Sequence, residues 1–358
     1  MKKVIFRVDA SVWIGSGHVM RCLVLADELT KHSYQVAFAC LPQEGDLCHF
    51  IQERGYSVIK LTPPECQITP KNSSDYLGWL QRSVKEDADD LLPYLDGVDW
   101  VISDHYALDQ DWQMQIKQGT GVRILAIDDL VRKHCADIVV DQTLSRKAIE
   151  YKTAGKVLAG VDYALLSSKF SEFRSFAENR QPNLDTPKIL ISMGGVDLPN
   201  ATFQVLESLE RENVCAQITV LMSSRSPHYD QVSDWCKTKD NIKHIDFTND
   251  MAQMMLDHDI AIGAPGSTSW ERACLGLPSI VVPLADNQKE ICHQLVTENL
   301  SRKVELSSIG SELFHAYIEV CSDWHQMHLN NLKVCDGLGT RRVVSEIIEL
   351  ENENNNFM

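Results

Sequence analysis

Apolar positions along the chain alternate between short unbroken runs and stretches with helical spacing. Residues 2–9 (KKVIFRVD) form a strand-like run. Val19, Cys22, Leu23, Leu25, Ala26 and Leu29 then recur at the three-to-four spacing of a helix face. Further strand-like runs lie at 35–41, 57–61, 100–104, 123–128 and 137–141, with helical patterns at 46–55 and 76–95. Residues 62–74 are polar and carry prolines, the pattern of a loop. Residues 167–187 are also polar, end in two prolines and read as an interdomain linker.

After that stretch the alternation restarts. Strands are predicted at 188–193, 217–222, 242–247, 260–264 and 278–284, and helices at 201–210, 228–238, 251–258, 267–276 and 287–299. Residues 309–351 read as mostly helical, and the tail ENENNNFM is polar. Strands separated by helices imply βαβ units and parallel sheets. The expected organisation is an N-terminal domain at 1–166, the linker at 167–187, a second domain at 188–340, and a C-terminal helix and tail at 341–358. Two similar α/β halves predict a site in the cleft between them, at the carboxyl ends of the strands.

Charge narrows the classes of partner. The 358 residues carry 34 Lys+Arg against 50 Asp+Glu, a formal net charge of −16. Such a balance works against nucleic acid and anionic membrane surfaces, and leaves a small molecule as the expected partner. No apolar run approaches the ~20 residues that span a bilayer. Arg7 and Asp9 interrupt the N-terminal run too early for a signal peptide. The 11 cysteines stand singly with no CxxC pair. Zinc and thioredoxin-like chemistry lose their usual signature, and reduced thiols in a cytoplasmic protein are expected.

Several strand-to-helix junctions carry candidate chemistry. Gly15 and Gly17 precede His18 between the first strand and the first helix. Glycines there let backbone approach a ligand, and an imidazole at a helix start can act as a base near neutral pH. The spacing departs from GxGxxG, so a dinucleotide is not expected. Met193, Gly194 and Gly195 form a second junction, suited to a phosphate loop or to an ordinary turn; no Lys-Ser/Thr follows to make a P-loop. At a third, Gly266, Ser267 and Thr268 open a helix, with Glu271 one turn in. Glu271 can accept two hydrogen bonds from a ribose diol, or close a capping box with Thr268. Asn287 and Gln288 open the next helix and can bind sugar hydroxyls or phosphate, with Asp286 or Asn287 as a cap in the alternative. Asp104, Tyr106, Asp128 and Asp129 end strands of the first half. Paired acids raise a divalent cation, but adjacent aspartates in a loop point different ways. His134 and Cys135 complete no zinc pattern.

The ordered segments IGSGHVMRCLVLADEL, SDHYALDQDW, AIDDLVRKHCADIVVDQT, ISMGGVD and GSTSWERACLGLPSIVVPLADNQ together resemble the UDP-2,4-diacetamido-2,4,6-trideoxy-β-L-altropyranose hydrolases of pseudaminic acid biosynthesis. The resemblance implies a GT-B-like α/β fold, two Rossmann-like domains with parallel sheets facing a central cleft. It implies UDP held by the C-terminal domain, at Gly194, Gly195, Gly266, Ser267, Thr268 and Glu271. The family's essential histidine maps onto His18, whose implied role is to activate water. Hydrolysis would break the bond from the anomeric carbon to oxygen, with no metal or cofactor. Where relatives often carry Arg-Pro, this chain has Ser167 and Ser168. A glycosyltransferase of the same fold and a non-enzymatic nucleotide-sugar binder are the competing readings.

Overall fold

The computed structural model describes residues 1–355, apart from the side chains of Asn287, Asn354 and Asn355. Residues 356–358 of the expected polar tail lie outside the described residues. The chain divides into two compact units: residues 1–166 together with the chain from 338 onward, and residues 167–337.

The first unit holds seven strands: β1 (Lys3–Val8), β2 (Gln35–Cys40), β3 (Ser57–Lys60), β4 (Trp100–Asp104), β5 (Arg123–Ile127), β6 (Ile138–Asp141) and β7 (Lys156–Ala159). All pair in parallel, in the order β3-β2-β1-β4-β5-β6-β7. The second unit holds six: β8 (Lys188–Ser192), β9 (Gln217–Leu221), β10 (Ile242–Ile245), β11 (Ile260–Gly263), β12 (Ser279–Val281) and β13 (Ser301–Lys303). They too are parallel, ordered β10-β9-β8-β11-β12-β13. Both sheets reverse direction of winding at their first strand. Within each unit a crevice therefore opens at this reversal, between the loops after β1 and β4 in the first and between those after β8 and β11 in the second.

The central strands explain the unbroken apolar runs. β4 is buried at every position, as is β1 beyond Lys3, because helices cover both faces of a parallel sheet. Arg7 breaks the run within β1 and is fully buried. Its guanidinium donates to Asp87 from Nη2 at 2.5 Å and to Asp9 from Nη1 at 2.6 Å. Asp87 also accepts from Arg82 Nη2 at 2.8 Å and from Trp112 Nε1 at 3.0 Å. Burial alone would raise the Asp87 carboxyl, but Arg7 and Arg82 outweigh it and hold the group down at about 2. A depressed carboxylate adds stability above its ordinary value of 3.8, and loses it as pH falls through about 2. Asp87→Asn is expected to lower unfolding stability by about 3 kcal/mol at neutral pH, because it leaves buried arginines underpaired. Urea titration reads the loss, which shrinks as the pH is taken toward 2.

Four features differ from the expectations. The helical pattern at 76–95 is two helices, Tyr76–Leu80 and Val84–Leu91. Gln81 takes a left-handed φ of 64° between them, and Ser83 caps the second helix through Glu86 N–H. The helix Gln110–Thr120 and strands β7 and β13 have no counterpart among the predicted elements. Residues 167–187 do not form a bare linker. They carry the helix Ser168–Ala177, capped by Ser167, and belong to the second unit. The last helix, Gly339–Asn355, belongs to the first unit. Its Val343, Val344 and Ile347 join that unit's core. Glu351 accepts from Tyr34 and Trp100, each at 2.8 Å, and pairs with Lys2 at 2.6 Å. Among the described residues no helix is long and apolar enough to cross a membrane.

Candidate active site

In the first unit the winding reversal assembles a charged cluster. The loop after β1 turns through Gly15, at φ 76°, into the helix Gly17–Lys31, so His18 sits in its first turn. β4 ends at Asp104, beside the end of β1. His18 Nδ1 lies 2.6 Å from Asp104 Oδ1. Burial would raise the Asp104 carboxyl, but Arg21 and then His18 outweigh it, keeping it well below the usual carboxylate range. An ionised Asp104 accepts the Nδ1 proton, which fixes the tautomer and leaves the Nε2 lone pair to take another proton. The His18 side chain is 11% exposed, and its ring meets the edge of Tyr106 at 4.8 Å between centroids.

Arg21 ties the cluster together. It donates to Asp104 from Nε at 2.6 Å and from Nη2 at 2.7 Å, and to Asp129 from Nη1 at 2.7 Å. Tyr106 donates its hydroxyl to Asp129 at 2.9 Å. The fold thus gathers His18, Asp104, Tyr106 and Asp129 from the candidate residues, and adds Arg21. Arg21 was legible only as the residue three beyond His18, on the same helix face. Asp128 goes elsewhere. It is buried under Arg132, His134 and Tyr151 and organises the loop after β5. The two neighbouring carboxylates therefore share no ligand. Among the described residues no three His, Cys, Asp or Glu side chains gather as a metal site.

In the second unit the corresponding loops differ in character. Gly194 follows β8 with φ 89° and open space where a Cβ would stand, so bare backbone faces outward there. Gly195 is half-buried beside it. Met193 is only 3% exposed and packs into the core, so its side chain does not line a ligand surface. The next helix, Ala201–Arg211, does not offer its N-terminus to an anion. Asp197 already accepts from Ala201 N at 2.8 Å and Thr202 N at 2.9 Å.

The helix Ser267–Cys274 after β11 remains open at its start. Gly266 precedes it in extended conformation, with no atom within 4 Å of a would-be Cβ. Ser269 Oγ accepts from Gly266 N at 3.3 Å, so the Thr268–Glu271 capping box is not formed. Ser267 and Thr268 are half-buried in the first turn. Arg272, buried beneath the loop, donates from Nη2 to Ala264 O at 3.2 Å and Ser269 Oγ at 3.0 Å. Glu271 keeps a buried Oε2 with no hydrogen-bond partner. Burial pushes its carboxyl up to about 7. A buried acceptor left unpaired at an open helix start fits a ligand that donates hydrogen bonds. Gln288 is partly committed, since its Oε1 accepts from Leu284 N at 2.7 Å. The side chain of Asn287 lies outside the described residues.

Comparison with known proteins places the chain in a family. Residues 189–323 match the glycosyltransferase family 28 C-terminal domain. The fold matches the crystal structure of Acinetobacter baumannii MurG at TM-score 0.66 and 15% identity, over 98% of this chain and 100% of that one. The Bacillus subtilis spore coat polysaccharide biosynthesis protein SpsG is 24% identical over 94% of this chain and 95% of its own. The Campylobacter jejuni UDP-2,4-diacetamido-2,4,6-trideoxy-β-L-altropyranose hydrolase is 32% identical over 88% of this chain and 100% of its own length. An α/β protein with parallel sheets, GT-B glycosyltransferase neighbours and that full-length relative, the chain belongs to the UDP-2,4-diacetamido-2,4,6-trideoxy-β-L-altropyranose hydrolase family.

Proposed function

We propose that this nucleotide-sugar-processing enzyme hydrolyses UDP-2,4-diacetamido-2,4,6-trideoxy-β-L-altropyranose to UDP and the free sugar. The observation that carries the reading is the 2.6 Å contact between His18 Nδ1 and Asp104. It supplies an oriented imidazole whose Nε2 can take a proton from water. In the proposed step, water attacks C1 of the sugar as His18 accepts its proton. The bond from C1 to the diphosphate oxygen breaks, and UDP leaves as an anion. A single displacement inverts the configuration at C1, as in inverting glycosidases.

The second unit supplies the leaving-group side of this proposal. Backbone N–H groups at Gly194 and Gly195 and at the start of the helix Ser267–Cys274 stabilise the departing diphosphate. The unpaired Glu271 oxygen accepts from the ribose diol. Water supplies the nucleophile and backbone N–H groups the anion site, so the step draws on no cofactor. Turnover is accordingly expected to be unchanged by EDTA.

The match of residues 189–323 to a glycosyltransferase domain favours a second reading, transfer of the sugar to an acceptor. Incubation with the UDP-sugar alone separates the two. Stoichiometric UDP and free sugar without any acceptor support hydrolysis. UDP release that begins only when an acceptor alcohol is added supports transfer instead.

A further inference from the structure

Arg21 is buried, and it touches Asp104 through two nitrogens and Asp129 through a third. Its Nη2 also lies 3.4 Å from His18 Nδ1, so guanidinium and imidazole share Asp104 Oδ1. We propose that Arg21 is a positioning residue that sets the pH range in which His18 can accept a proton. The inference rests on the hydrolase reading and assigns a residue that acts through Asp104 rather than on the substrate.

Three elements bring titratable groups toward His18. The end of β4 contributes Asp104, His105 and Tyr106, the loop after β5 contributes Asp129, and the helix of His18 contributes Arg21 and Cys22. His105 carries no charge at neutral pH, because burial drives its imidazole down to about 4. The Tyr106 hydroxyl stays protonated, since burial and Asp129 push it well above its ordinary value. Burial also raises the Cys22 thiol, 3.6 Å from Asp104 Oδ2. Two carboxylates and one guanidinium therefore decide the field at His18.

A histidine against an unbalanced buried carboxylate holds its proton tightly. Arg21 neutralises Asp104 while leaving one of its oxygens in place to orient Nδ1. Asp104 thus orients the imidazole through Nδ1 while its charge is shared with Arg21. Asp129 in turn holds Arg21 and offsets part of its charge.

This arrangement makes predictions of opposite sign for two variants. Arg21→Met removes a positive charge, and the acid limb of the kcat/KM profile is expected to move up by one pH unit or more. Arg21→Lys keeps the charge and is expected to hold the limb near that of the unaltered protein. Asp129→Asn leaves Arg21 less balanced, and the limb is expected to move down. A loss of activity that is equal at every pH, with neither limb displaced, would overturn the inference and leave Arg21 a packing element. Should Arg21→Met fail to fold, Asp129→Asn decides alone: an unmoved or raised limb overturns the proposal. NMR titration of the His18 ring without substrate gives the same test independently of turnover. If the unaltered protein releases no UDP, the hydrolase reading fails, and the ring titration still decides the role of Arg21.

Discussion

His18→Ala is expected to lower turnover at least about a thousandfold while UDP affinity stays within about twofold. General-base catalysis by a positioned imidazole contributes on the order of 10²–10⁴. The upper part of that range applies because Asp104 holds the ring in place through Nδ1 at 2.6 Å. His18 belongs to the first unit, whereas every group proposed to hold UDP belongs to the second. Calorimetric titration with UDP should therefore barely register the substitution. A parallel loss of UDP affinity would move His18 from proton transfer to nucleotide binding. Asp104→Asn adds a second test. It preserves the shape but removes the anion that selects the Nδ1–H tautomer, so turnover is expected to drop by a hundredfold or more.

Glu271→Ala is expected to weaken UDP binding about 100-fold, by loss of two hydrogen bonds to a charged acceptor. Its pH dependence identifies the cause. Burial raises the carboxyl to about 7 in the free protein, from an ordinary value of 4.5. Only the carboxylate accepts from both ribose hydroxyls, so binding favours the deprotonated form. Wild-type affinity should fall about tenfold for each pH unit below 7, relative to Glu271→Gln, which has no such titration. The comparison with Glu271→Gln cancels the titration of UDP itself. A raised carboxyl contributes to stability below its unfolded value and ceases to as pH rises through its folded one. Glu271→Gln is accordingly expected to stabilise the protein by up to about 3 kcal/mol at pH 8, and to change little at pH 4. Thermal unfolding at the two pH values reads the difference.

The strands of the sheet interiors were legible because burial on both faces leaves them as apolar runs. β7 was not, because Gly155 and Gly160 close in its four residues, KVLA, and β13, SRK, has no apolar residue at all. The split of 76–95 depends on Gln81, a residue with no strong preference for the left-handed conformation it adopts. The placement of the final helix depends on Glu351, whose partners Tyr34 and Trp100 lie hundreds of positions away. No local pattern could connect them.

The site shows the same division. His18, Asp104 and Glu271 announced themselves by residue type at the end of a strand or the start of a helix. Arg21 carried no such mark, since an arginine on the first helix ordinarily reads as solvated. Its burial between two carboxylates emerges only when β4 and β5 deliver Asp104 and Asp129 to one place. Met193 and Asp197 show the converse. Both sit in a motif that reads as a phosphate loop, yet one packs into the core and the other caps a helix. Residue type marked these candidate groups, while the groups that hold them depended on sheet order.

The most direct test of the account is hydrolysis of the UDP-diacetamido-trideoxy-altrose in ¹⁸O water, with both products weighed by mass spectrometry. Attack at C1 by water activated at His18 predicts one heavy oxygen in the free sugar and none in UDP. Label in UDP would place the attack on phosphorus and contradict the assignment of His18 as the base at C1.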